Sequence, residues 1–418
     1  IHRLIDWCLR ARSVPASFDT HMLCAIVLTW CFTSSSRPIR DRATKALTTI
    51  LLVHPGIYGE LLTLFEGVDD LYVLERLIGA AYGACCIDPA PERLRSYAEW
   101  SAACVFADEV PPAHHFVRRY ARSIVEYAEH LGVLPSNFDQ QKCLPPYGSE
   151  VPDFHICDED IKSLADAAGD SAIRDSCIGH FGDFGIYTIN WAVSSFTNVS
   201  LSSPPPLSQR QQYERFVEEE IVTDELGDAI EHLWSLLHGQ IQLDLGGLTA
   251  DETLDANEED DAANESVWLE EVENALAIVV RQLNEDQIAR FFEDAAPWLG
   301  LVDNSSAQES IPRLDVESVK RWVARRAYDL GWDSGYFGNE SRSRYDGSRS
   351  RPLVERIGKK YQWLALSELL CRLGDNFWVN DGFERGARKY DLPLDLGVGR
   401  DVDPTILPSS SPAMESSI

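Results

Sequence analysis

Few residues of this 418-residue chain have the type and spacing that chemistry requires. His155-x-Cys157 and Cys177-x-x-His180 form two potential ligand pairs, and thiolate with imidazole is the donor set of a tetrahedral zinc site. H-x-C chelates less well than C-x-x-C, and buried thiols with ordinary core histidines account for the same four residues, so the expectation is no metal. A second cluster joins His114 and His115 to Arg118, Arg119 and Arg122. At helical spacing it reads as a cationic docking ridge or as the solvated face of an amphipathic helix. Established catalytic signatures are missing from the sequence: no G-x-x-x-x-G-K-[ST] loop, no H-E-x-x-H, no G-x-S-x-G elbow. Carboxylates are so many that some pair always looks like a general acid and base, and without a pocket none can be chosen. The expectation is a chain with no catalytic residue and no cofactor of its own.

The elements that position these residues read as helices. Residues 1–135 carry runs of helical periodicity broken at His54-Pro55-Gly56, Glu66 to Asp70, Asp88-Pro89-Ala90-Pro91 and Pro111-Pro112. Ala43, Ala46, Leu47, Ile50 and Leu51 share one face, and small residues within 71–84 permit close helix packing. Phe116, Val117, Tyr120, Ile124, Tyr127, Ala128 and Leu131 point inward from a third helix. The pattern predicts a mainly α fold, a degenerate HEAT/TPR-like α-solenoid with irregular insertions; a single non-repeating bundle is the alternative.

Residues 136–208 are expected to hold a Pro- and Gly-rich linker and an aromatic helical module, with Asp183, Tyr187, Trp191 and Phe196 on a helix that packs beside residues 355–377. Residues 209–418 are expected to be a helical C-terminal region. It would contain a long helix over 209–238, a mobile acidic loop over 240–266, and a Ser-rich tail. The strongest helical signal covers 355–377, where Trp363, Leu366, Leu370, Leu373 and Phe377 fall on one face. Tyr361, Leu364 and Ala365 add a second stripe, so this helix should be buried between neighbours. Gly374-Asp375-Asn376 is its expected stop. Arg356, Lys359 and Lys360 sit at its N-terminal end, where the helix dipole disfavours cations, so something else must hold them.

The net charge is −30 and unevenly spread. Residues 214–310 hold 26 Asp and Glu against 3 Lys and Arg, a net of −23, while 320–360 hold 11 Lys and Arg against 5 Asp and Glu, a net of +6. An acidic chain repels phosphate backbones, which argues against direct nucleic-acid binding. The longest apolar run, Leu23 to Phe32, is too short to span a bilayer, and no signal peptide opens the chain, so no membrane association is expected. Ten cysteines without regular spacing suit a reducing cytoplasm. The first residue is Ile1 and not Met, so the expectation is a fragment of a longer protein.

Three stretches carry a family resemblance: the 355–377 helix, Gly182-Asp-Phe-Gly-Ile-Tyr-Thr-Ile189 and Arg400-Asp-Val-Asp-Pro-Thr-Ile-Leu407. They resemble the C-terminal helical sensor region of bacterial antiviral STAND NTPases, the Avs-type phage sensors. The resemblance implies that this region recognises a conserved phage protein, such as the large terminase subunit or the portal. Binding would drive oligomerisation of the parent protein, whose ATP-binding domain and effector lie upstream. No individual contact residue follows from the resemblance. Arg342, Arg344, Arg356, Lys359, Lys360 and Trp363 are the expected partner-binding residues, because Arg and aromatic side chains are the usual interface anchors. The acidic stretch Asp255 to Asp261 is the competing contact, or an intramolecular latch. The alternative function is a HEAT-type scaffold that binds a cellular protein.

Overall fold

The computed structural model describes residues 1–34, 36–221, 223–246, 258–301, 312–337, 357–380, 386–390 and 402–408. In chain order the helices are α1 (His2–Cys8), α2 (Phe18–Trp30), α3 (Arg37–Val53), α4 (Ile57–Leu64), α5 (Leu71–Ile87), α6 (Pro91–Val105) and α7 (His115–His130). There follow α8 (Asp158–Ala167), α9 (Ala172–Ile178), a π-helical turn Gly185–Ile189, α10 (Asn190–Val193), α11 (Gln209–Glu220), α12 (Asp224–Gly246) and α13 (Glu258–Gln282). The last are α14 (Glu285–Arg290), a π turn Phe291–Ala295, α15 (Ala296–Leu299), α16 (Val316–Asp329), α17 (Ser334–Phe337) and α18 (Ile357–Asn376). Strands β1 (Phe196–Ser200), β2 (Phe377–Asn380) and β3 (Ala387–Arg388) form a small sheet in the order β1-β2-β3. The fold is mainly α, as the periodicity predicts.

Two compact units share the chain. One comprises Ile1–Phe196, Leu314–Phe377 and Lys389–Ile418; the other comprises Thr197–Arg313 and Trp378–Arg388. The residues expected to form one C-terminal region, 209–418, therefore divide between them.

In the larger unit, α1, α3, α5 and α7 pack in succession, and so do α2, α4 and α6. Each even helix also lies against odd neighbours, the two-layer stacking of a solenoid-like array. Local chemistry sets the boundaries. The Ser17 hydroxyl accepts from Thr20 N (3.2 Å) to cap α2, and the Asp70 carboxylate accepts from Tyr72 N (3.1 Å) to cap α5. Pro38 and Pro91 sit in the first turns of α3 and α6, where no N–H is needed. Gly79 lets α5 approach α7, since a Cβ there would sit 3.2 Å from the Tyr120 ring. Leu47, Ile50, Leu77, Ile78, Tyr97 and Ile124 form the buried middle. Buried cations are paired: Arg76 donates to Asp41 (2.8 Å), and Arg93 to Asp88 (2.7 Å) and the Leu52 carbonyl (3.1 Å).

Helix α16 packs on α8, α9 and α18, and α18 in turn packs on α7 and α9. The expectation of a doubly buried α18 holds, with Leu366, Leu369, Leu370 and Leu373 buried. It runs through Gly374 and ends at Asn376, whose Nδ2 donates back to the Arg372 carbonyl (2.8 Å). Of the 400–407 stretch, residues 402–407 are described, and they dock on α5. A Cβ on Gly83 would lie 2.5 Å from the Pro404 carbonyl oxygen, so only glycine admits this contact.

The smaller unit is built on α11 to α15 around Phe216, Leu226, Ile230, Leu233, Val279, Phe291 and Leu299. The single helix expected over 209–238 is two. α11 stops at Glu220, and α12 starts afresh at Asp224, where the Thr223 hydroxyl accepts from Leu226 N (3.3 Å). The acidic loop expected over 240–266 is narrower, because α12 extends to Gly246 and α13 begins at Glu258. Capping boxes at Ser208/Gln211 and Asn284/Gln287 open α11 and α14. Strand β2 pairs antiparallel with β3 through Val379 with Arg388 and Asn380 with Ala387. Among the described residues no helix is long and apolar enough to cross a membrane.

Gly83→Val tests the docked segment. It should lower the urea midpoint, costing about 1–3 kcal/mol from overpacking, and should open residues 402–408 to proteolysis. An unchanged midpoint and cleavage pattern would refute the contact.

Candidate functional site

Pro111-Pro112 breaks the chain before α7, and His115, Arg118, Arg119 and Arg122 then occupy its first two turns. Their spacing of three, four and seven places them on one helix face. That face looks onto the last turns of α18. Leu370, Cys371, Gly374 and Asp375 line the opposite wall, with Pro145, Tyr147 and Tyr390 at the sides. The cleft so formed is small, about 30 Å³, room for a few water molecules at most. Gly374 is needed here: a Cβ would fall 2.5 Å from the Tyr390 ring.

Arg118 is the anchor. Its Nη1 donates to Asp375 Oδ2 at 2.9 Å, and both side chains are only 4% exposed. Its Nε donates to the Pro112 carbonyl (2.8 Å), and its Nη2 to the Pro111 carbonyl (2.8 Å) and the Ser149 hydroxyl (3.2 Å). The guanidinium lies 4.8 Å from the centre of the Tyr147 ring. Asp375 is equally engaged, accepting from Tyr147 N (3.0 Å) and from the Ser149 hydroxyl. A buried pair this fully bonded offsets the cost of desolvating both charges. Arg122 Nε pairs with Glu126 at 3.1 Å, and Arg119 reaches the same carboxylate at 3.8 Å.

Burial pulls His115 down to about 3, although a Ser367 backbone hydrogen bond favours its charged form. Burial also holds His114 well below the usual histidine range, helped by His115, Arg118 and Arg76. Both rings are neutral at physiological pH, so the cationic character of the face is that of the arginines alone. Burial pushes the Cys371 thiol up to about 12, so it is no thiolate nucleophile.

The docking ridge and the solvated face expected for this cluster both give way. Arg118 and Arg122 are buried and Arg119 is half-buried, turned toward α18. The sequence did hold a signal. Arg118 lies at a helix N-terminus and Asp375 at a helix C-terminus, each at the end whose dipole disfavours it. Charges so placed call for partners, and these two find each other.

A second feature is a face of exposed aromatic residues. Within Gly182–Ile189 the backbone takes a π turn, which shifts the side-chain register relative to an α-helix. Phe184 turns in, edge-on to Trp363 at 5.2 Å, and Ile189 and Phe196 are buried. Phe181, Tyr187 and Trp191 turn out and are 87%, 73% and 74% exposed. Tyr187 and Trp191, expected on a helix packed beside residues 355–377, thus face outward. Asp175 and Asp183 are exposed along the same stretch.

Of the residues singled out for partner binding, Lys359, Lys360 and Trp363 are described, all on α18. Lys360 forms an ion pair with Asp70, the cap of α5, and lies 5.6 Å from the Tyr72 ring; this is what holds a cation at the N-terminus of α18. Lys359 is half-buried, and half-buried Trp363 packs on Phe184. Arg342, Arg344 and Arg356 lie outside the described residues, as do 255–257 of the acidic stretch. The two zinc-like pairs serve local roles. The exposed Cys157 thiol lies 3.1 Å from Asp160 at the start of α8, buried Cys177 accepts from Gln362 Nε2 (3.4 Å), and His180 stands edge-on to Phe181. Among the described residues no three of His, Cys, Asp and Glu converge as metal ligands. Compared with protein-family models, curated proteins and solved structures, the chain matches none.

Two outcomes follow. Asp375→Asn leaves Arg118 buried without its counter-charge and should cost about 3–5 kcal/mol by urea denaturation, with Arg118→Met added to it restoring part of the loss. For His115 the folded value near 3 lies below the unfolded value of about 6.5, so its contribution is present above pH 6.5 and lost as pH falls toward 3. Stability should decline from pH 6.5 to 5, and His115→Leu should flatten that slope by up to about 1.4 kcal/mol per pH unit. An equal slope in both proteins would refute the assignment.

Proposed function

We propose that this chain is the target-recognition region of an anti-phage STAND NTPase. It binds a conserved phage protein, such as the large terminase or the portal, and thereby triggers oligomerisation of the parent protein in the cytoplasm. Three segment resemblances support this reading. The observation that carries it is the exposed set Phe181, Tyr187 and Trp191, flanking and within one of those three segments. Large aromatic side chains held in water are costly in a monomer and are the commonest anchors of a protein interface. A stacked helical scaffold suits the role, since it presents a broad, rigid surface. The reading assigns no catalysis to this chain and leaves nucleotide chemistry to a separate domain of the parent.

The test is retention of purified terminase and portal proteins on the immobilised chain. Tyr187→Ala with Trp191→Ala should weaken retention at least about tenfold, the effect of losing one anchor worth about 1.4 kcal/mol or more. The denaturation midpoint should stay unchanged, because both side chains are exposed. Retention of neither phage protein would sink the sensor reading, and capture of a cellular protein instead would favour the scaffold.

A further inference from the structure

We propose that the outward face of the helical segment 183–193 is a docking site for a cationic stretch of a protein partner, one rich in arginine or lysine. The proposal rests on the reading of that face as an interface, and not on which protein binds. Asp183, Tyr187 and Trp191 are exposed and recur every fourth residue, so they form one row along the segment, with exposed Phe181 just ahead of it. The row stands on a fixed base. A Cβ on Gly182 would lie 2.6 Å from the Asp175 and Ser176 carbonyl oxygens, and one on Gly185 would collide with the Cys177 carbonyl. Glycine at both places lets the segment seat directly on α9, while Phe184 and Ile189 anchor it from beneath. Rings carried on a seated backbone have little freedom left to lose on binding.

Exposed rings alone would suit a nucleic-acid base, a membrane surface or another protein. Charge complementarity selects among the three. Residues 158–191 hold seven Asp and Glu against two Lys and Arg, a net of −5. Asp183 stands within the row, and Asp175, on the turn of α9 that meets Gly182, is exposed as well. Two neighbouring cations are already matched. Arg174 pairs with Asp175 at 3.3 Å, and Lys320, whose Cδ would lie 3.5 Å from a Cβ on Gly185, pairs with Glu317 at 2.7 Å. A face of this sign repels phosphate backbones and anionic lipid headgroups. A guanidinium or ammonium group gains twice, from the carboxylates and from the ring faces, because both attract cations. Arginine gains most, since its planar group also stacks on Tyr and Trp.

Fluorescence anisotropy of a short labelled peptide of alternating Arg and Gly, titrated with the full chain, tests this. At about 0.15 M salt the screening length is about 8 Å, so distant charges count for little. Saturable binding is expected. Tyr187→Ala with Trp191→Ala should raise Kd at least about fivefold, and Asp175→Asn with Asp183→Asn about threefold. Glu270→Gln with Glu271→Gln removes the same charge from exposed positions of α13 and should leave Kd within about twofold. An equal loss in the α13 pair would overturn the proposal, because the peptide would then be reading only the overall charge of −30. So would a peptide that does not saturate, or tighter binding of oligothymidylate or phosphatidylserine vesicles through Tyr187 and Trp191. Phage proteins whose retention needs the rings but is indifferent to Asp175 and Asp183 would overturn this inference alone. Peptide binding that needs both pairs, with neither phage protein retained, would remove the phage target and support the cationic partner.

Discussion

One ion pair joins two distant stretches of the larger unit. Arg118 opens α7, the last helix of the N-terminal stack, and Asp375 closes α18, more than 250 residues later in the chain. Neither is tolerable alone. Each is buried, and each stands at the helix end whose dipole opposes its charge. Together they satisfy one another. The leftover guanidinium donors go to Pro111, Pro112 and Ser149, and the leftover carboxylate oxygen goes to Tyr147 N. The pairing fixes how α18 lies against α7, and it draws Tyr147 and Ser149 onto the same point. The cleft beside it is a consequence, because its walls are the residues flanking the two charges.

The same logic recurs at the other end of α18. Lys360 stands in the first turn of that helix, again against the dipole, and Asp70 neutralises it while capping α5. Two opposed ion pairs, one near each end, thus register a single helix on the N-terminal stack. The close approaches at Gly79, Gly83 and Gly374 pack α5 on α7, Pro404 on α5 and Tyr390 on α18, because each glycine admits a ring or a backbone segment that a methyl group would displace. The larger unit therefore keeps its polar specificity inside. What it offers outward is chemically different: aromatic side chains on the π turn, with acidic neighbours. Internal arginines orient the helices, and the aromatic side chains of this stretch stand outward.

The smaller unit follows the more usual division. Phe216, Leu226, Val279 and Phe291 make its core, and its charges pair at the surface, as Arg290 does with Glu219 and Glu220. Here local chemistry suffices to set the boundaries. A threonine caps a new helix where continuous periodicity had suggested one, and two capping boxes mark starts that composition alone leaves indistinct.

What the sequence determined by itself is the short-range part. Apolar spacing fixed the helices of the first 130 residues, the small residues of α5 announced a close neighbour, and the double stripe of α18 announced burial on two sides. These are properties of neighbours three and four residues apart, and helical geometry makes them readable without a fold. The tertiary structure alone decided which charges meet. Nothing within a few residues of Arg118 names Asp375, so the arginine cluster read as surface until the far helix was placed. It also decided which aromatic residues turn outward, because the π turn at Gly185–Ile189 changes the register that a regular helix would have imposed. Long-range pairing and local departures from helical period carry no repeating signal along the chain, and they are where both candidate sites arise.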